Sequence, residues 1–132
     1  MSNARNIASI AGEDVLNASN EIVPVFACRA WVNFNGTGTV AIRDSENVSS
    51  ITDNGGTGTY TINFATAMPD VNYAVSGVTG YSDGGSAGFF NGGAVNIRWD
   101  TATPMQTGSL AIQTCNSSSL YDMKYVNVAI FR

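Results

Sequence analysis

The sequence predicts an all-β protein, an antiparallel β-sandwich of the jelly-roll kind, and three observations carry that prediction. Apolar residues alternate with polar ones in short runs along most of the chain. The runs are separated by clusters of Gly, Asn, Asp and Thr. Charged residues are only 12% of the 132, and the apolar ones are mostly Val, Ile, Ala and aromatics. A period of two places side chains on one face of a strand, and β-branched and aromatic residues suit a half-buried pleated surface. Helix is at most a minor element. A chain of this length makes one domain that buries roughly two-thirds of its unfolded surface.

Residues 1–25 differ from the rest: they are polar, weakly periodic and end near Pro24, which predicts an N-terminal arm or short helix used for attachment. The sandwich domain is then 26–132. Phe26, Cys28, Ala30, Val32 and Phe34 share one face of a first strand, which breaks at the NGTG turn of 35–38. Thr39 to Arg43 and Asn47 to Thr52 read as the second and third strands. The DNGGTG turn of 53–58 leads into Thr59 to Phe64, a hairpin in which Tyr60, Ile62 and Phe64 share a face.

After the AMPD turn of 67–70, Val71, Tyr73 and Val75 alternate as a further strand. A glycine-rich excursion from Gly80 to Gly93 interrupts the pattern. It resumes with Val95, Ile97 and Trp99, then Leu110, Ile112 and Thr114, and closes with Val126, Val128 and Ile130 beside Tyr125 and Phe131. Seven or eight short strands at this spacing make a sandwich or jelly roll, and KYVNVAIFR reads as an integral strand whose loss would be ruinous.

Charge and composition exclude several functions. The formal net charge is -4, and the six Lys and Arg are scattered singly, so no basic stripe exists to neutralise phosphates or an anionic membrane. No stretch has the form of a signal peptide or the length of a membrane span. With no histidine and only Cys28 and Cys115, zinc is excluded. The two cysteines read as buried free thiols, and a bridge needs their strands to lie side by side. A Ser or Cys nucleophile lacks an evident base, the glycine-rich loops lack phosphate-binding contexts, and no spacing pairs Asp83, Asp100 or Asp122; the expectation is a non-enzyme with no cofactor. Sparse surface charge predicts that further copies or other proteins cover much of the surface.

Carbohydrate binding is the sharper expectation, because sugars are held by an aromatic face against their C–H patches plus Asp, Asn or Arg hydrogen bonds. Tyr81 with Asp83, Trp99 with Asp100, and Tyr121 with Asp122 offer that mixture. Trp99 also continues the alternation of Val95 and Ile97, which would make it a core residue, whereas Tyr121 and Asp122 in SSSLYD read as exposed. Trp31, opposite in parity to Val32 and Phe34, is a candidate for an interface between subunits or for a ligand platform; Phe89 and Phe90 are further interface candidates. Asp53 and Asp83 put oxygen ligands in turns, yet neither has the spacing of a calcium loop, and an Asp bonding its own turn explains both.

AWVNFNGTGTVAIR (30–43), NVSSITDNGGTGTYTINF (47–64) and AMPDVNYAVSG (67–77), with the lead SNARNIAS (2–9), resemble the module that ends many tail-fibre proteins of bacteriophages, particularly marine and cyanobacterial ones. The MP and NY phrase and the closing VNVAIFR bear a weaker similarity to the trimeric H-type lectins, in pattern only. The first resemblance implies a trimeric virion protein, made in the host cytoplasm, joined to other virion proteins through residues 1–25 and able to attach to host-surface glycans. The lead follows Met1 directly, which favours an alternative: a capsid decoration protein whose trimeric knob clamps the shell.

Overall fold

The computed structural model describes residues 28–80, 93–116 and 119–132, together with two short strands nearer the N-terminus, β1 (Asp14–Leu16) and β2 (Ile22–Pro24). Those two pair antiparallel with Val15 opposite Val23, inside the segment expected to be an arm. Then follow β3 (Cys28–Asn35), β4 (Ala41–Glu46), β5 (Val48–Asp53), β6 (Thr59–Phe64), β7 (Ala74–Gly80), β8 (Ala94–Ile97), β9 (Ser109–Cys115) and β10 (Tyr125–Phe131). These eight form two four-stranded antiparallel sheets, ordered β4-β3-β10-β7 and β5-β6-β9-β8. The expected antiparallel β-sandwich is what the chain adopts, with no helix among the described residues.

The period-two pattern builds the core directly. Ala30, Val32 and Phe34 from β3 and Val126, Val128 and Ile130 from β10 meet Tyr60, Ile62 and Phe64 from β6 and Leu110 and Ile112 from β9, all buried. Phe34 packs edge-to-face on Tyr60 across the sandwich, with centroids 5.2 Å apart. Phe64 meets Tyr73 in the same way at 6.0 Å. Gly77 of β7 faces Val95 of β8, where a Cβ would lie 2.9 Å from the Val95 Cβ, so the missing side chain lets those edges close.

At the other edge the chain changes sheets at a single residue. Asn47, between β4 and β5, has φ of 55°, a left-handed conformation that asparagine tolerates better than most residues. Its side chain fastens the corner: Nδ2 donates to the Arg29 and Thr66 carbonyls, each at 3.1 Å, and Oδ1 accepts from the Thr66 N–H at 2.7 Å. The expected second and third strands are therefore one ribbon bent at Asn47, with β4 starting two residues and ending three residues later than the alternation suggested and β5 displaced by one.

Several expectations need correction. Cys28 is exposed and Cys115 half-buried, both as free thiols, so neither is the buried small hydrophobe anticipated. The register between β3 and β10 shifts past the Ala30–Ile130 pair, which sets Cys28 opposite the outward-facing Phe131. The run from Val71 to Val75 is not one strand: Asp70 Oδ1 accepts the Asn72 N–H at 2.7 Å, closing a turn that delays β7 to Ala74. Val71 is consequently exposed, while Tyr73 is buried and its hydroxyl lies 3.1 Å from the Gln106 carbonyl and 3.2 Å from that of Ser109. Trp99 is 79% exposed, because β8 ends at Ile97 and its alternation ends with it. Phe26 lies outside the described residues.

Candidate functional site

Three loops that are remote in sequence converge at one end of the sandwich. The first follows β3, where the Asn35 side chain donates to the Thr37 carbonyl at 2.7 Å and accepts from the Thr37 hydroxyl at 2.9 Å. The second is the β5–β6 turn, in which Asp53 Oδ1 accepts the Gly55 N–H at 2.9 Å, the self-bonded turn expected from the sequence. The third precedes β10 and carries Tyr121 and Asp122.

Gly58 joins the second loop to the third. It has φ of +66°, and a Cβ there would sit 2.4 Å from the Thr114 carbonyl oxygen, so only glycine admits this approach. The Gly58 carbonyl accepts from Thr114 N–H at 2.8 Å, Tyr121 N–H donates to the Thr114 carbonyl at 3.0 Å, and the Thr114 hydroxyl donates to the Tyr121 carbonyl at 2.6 Å.

Asp122 closes the assembly. Its Oδ1 accepts from the Gly58 N–H and lies 2.8 Å from the Tyr60 hydroxyl, which is also 2.8 Å from the Gly36 carbonyl. The single phenolic proton is shared between those two acceptors. Burial, and then the bond to Asp122, push the Tyr60 pKa well above its usual 10.0, so the phenol stays neutral at any physiological pH. Tyr121 and Asp122 are thus half-buried and built into the fold, a correction to the reading of an exposed loop. Above them lies an open cleft of about 340 Å³ lined by Thr37, Gly38, Thr57, Tyr121 and Asp122.

The other candidates fall elsewhere. Trp99 and Asp100 lie beyond β8, where Asp100 forms a two-pronged ion pair with Arg98 that holds its carboxyl below the usual carboxylate range. Turning the Asn54 amide so that its oxygen faces Arg98 brings it to 3.2 Å from Nη1. Tyr81, Asp83, Phe89 and Phe90 lie outside the described residues. Trp31 projects from the outer face of the β4-β3-β10-β7 sheet with Val78, Tyr125 and Phe131. A shallow groove of about 320 Å³ runs across that face beside Asn33, Ser76, Asn127 and Ala129.

The outer face of the second sheet is different in kind. Asn63 donates to the Ser50 and Thr52 hydroxyls at 3.1 and 2.9 Å, and Asn54 bonds Thr61 at 3.1 Å, a carpet of short polar side chains. Residue type singles out Tyr121 and Asp122 in the sequence, but not Thr37, Gly38, Thr57, Gly58 or Tyr60, which the fold brings beside them. Gly58 was the available signal, as a third glycine in a turn that needs fewer. No protein-family model, curated protein or solved structure matches the chain.

Proposed function

We propose that this chain is a structural and adhesive module of a tailed-bacteriophage virion, a fibre or fibre-tip domain that assembles as a trimer and attaches to host-surface glycans. The observation that carries the proposal is the unlike chemistry of the two outer faces. One sheet exposes Trp31 and Val78 along a groove, with Tyr125 and Phe131 also exposed on that face, and the other exposes Ser, Thr and Asn bonded to one another. A face of the first kind suits association with further copies, and one of the second kind suits solvent or hydroxylated ligands. The phrase-level similarity to tail-fibre modules supports the same reading. Residues 1–25 would join other virion proteins, the chain would be made in the host cytoplasm, and no reaction, nucleic acid or membrane insertion belongs to the role.

The test is competition for host cells. Purified protein added before infection blocks phage adsorption if it is a receptor-binding module. Unchanged adsorption, with binding to undecorated capsids instead, would identify a capsid decoration protein and overturn the fibre reading.

A further inference from the structure

We infer that the cleft above Asp122 is a monosaccharide subsite selective for neutral hexoses. The inference rests on the glycan-attachment reading and deepens it by choosing one site and one class of sugar. Asp122 Oδ1 is held by the Gly58 N–H and the Tyr60 hydroxyl, whereas Oδ2 has no hydrogen-bond partner among the described residues. The carboxylate is therefore oriented by one oxygen and open through the other, the arrangement that accepts a sugar hydroxyl without first having to be ordered. Tyr121, partly buried and packed against the core, also lines the cleft, and Thr37 and Thr57 line it too, with Thr57 making no side-chain bond among the described residues.

The volume of about 340 Å³ suits one sugar ring rather than a longer chain held along its length. Charge sets the selectivity. Asp122 is the one acidic side chain lining the cleft among the described residues, so a sialic or uronic acid would set carboxylate against carboxylate, and neutral hydroxyls would not. Among the described residues the other aromatic–carboxylate pair, Trp99 with Asp100, makes a poorer subsite, because Asp100 has both oxygens committed to Arg98.

The experiment is amide correlation NMR on the full chain, titrated separately with galactose, glucose, mannose and N-acetylneuraminic acid. At least one hexose should shift the amides of residues 37, 38, 57, 58, 121 and 122, and N-acetylneuraminic acid should leave them unmoved. Asp122→Asn keeps an Oδ1 acceptor for Gly58 and Tyr60 but replaces Oδ2 with an N–H donor; it should weaken hexose binding about tenfold or more. Tyr121→Ala leaves the backbone bonds of Tyr121 intact and should weaken it similarly, with spectral dispersion reporting that both variants are folded. Shifts centred on Arg98, Trp99 and Asp100, or affinity unchanged in Asp122→Asn, would overturn the subsite while leaving glycan attachment standing. No shift with any sugar, from protein that still blocks adsorption, would also overturn it; no shift and no block would end the glycan reading as well.

Discussion

Tyr60 shows how one side chain can join core and site. Its ring packs on Phe34, and its hydroxyl bridges the Gly36 carbonyl and Asp122, so Tyr60→Phe keeps the packing and removes the bridge. Such a loss should cost about 1–2 kcal/mol in denaturant unfolding at neutral pH. The pH dependence has a definite sign. The phenol ionises near pH 10 in the unfolded chain but well above that in the folded one, so the unfolded state loses its proton first and stability falls as pH rises past about 10. Tyr73 is raised in the same direction by burial, so Tyr60→Phe should flatten the alkaline decline without abolishing it. Two glycines separate strain from crowding at the same scale. Gly38 has φ of +61° and open space around it, so Gly38→Ala should cost about 1 kcal/mol of backbone strain alone. Gly58→Ala adds a Cβ at 2.4 Å from a carbonyl oxygen and should cost several times that or prevent folding; equal melting temperatures for the two variants would refute the close approach.

At the scale of elements, the alternation was legible because burial of one face dictates it, and it located Ala30–Phe34, Tyr60–Phe64, Leu110–Thr114 and Val126–Ile130 with the correct inward phase. It failed where a local bond or a bulge broke the count. The Asp70 turn displaced β7, the shift beside Ile130 turned Cys28 outward, and the end of β8 released Trp99. Each event depends on geometry that a residue-by-residue period does not contain. The corner at Asn47 is the most exacting of these. Asn47→Gly removes its side-chain bonds and tolerates the positive φ, whereas Asn47→Ala removes the same bonds and adds strain. Both should lower the denaturant midpoint, with Ala less stable than Gly by about 1 kcal/mol; the reverse order would show that the corner relaxes to an ordinary strand conformation.

For the whole molecule, two sheets present two unlike exteriors, and the proposed self-association would use the face with Trp31. Val78 is 65% exposed there, in register with Asn127 of β10, so Val78→Glu alters the face without disturbing the core. Sedimentation should show a smaller species than the parent chain, with the melting temperature of the dilute protein unchanged. The chemistry of this face was legible in part, since the parity of Trp31 against Val32 marked it as outward. The cleft was not, because Thr37, Thr57 and Asp122 are brought together only by the sandwich, and nothing in their separate loops signals the others.

The central claim is a place on a particle, and the measurement that reaches it most directly is immunogold labelling of intact virions with antibody raised against the folded domain. Gold at the fibre or tail tips is the predicted result. Gold spread over the head, or particles that carry none, would contradict it.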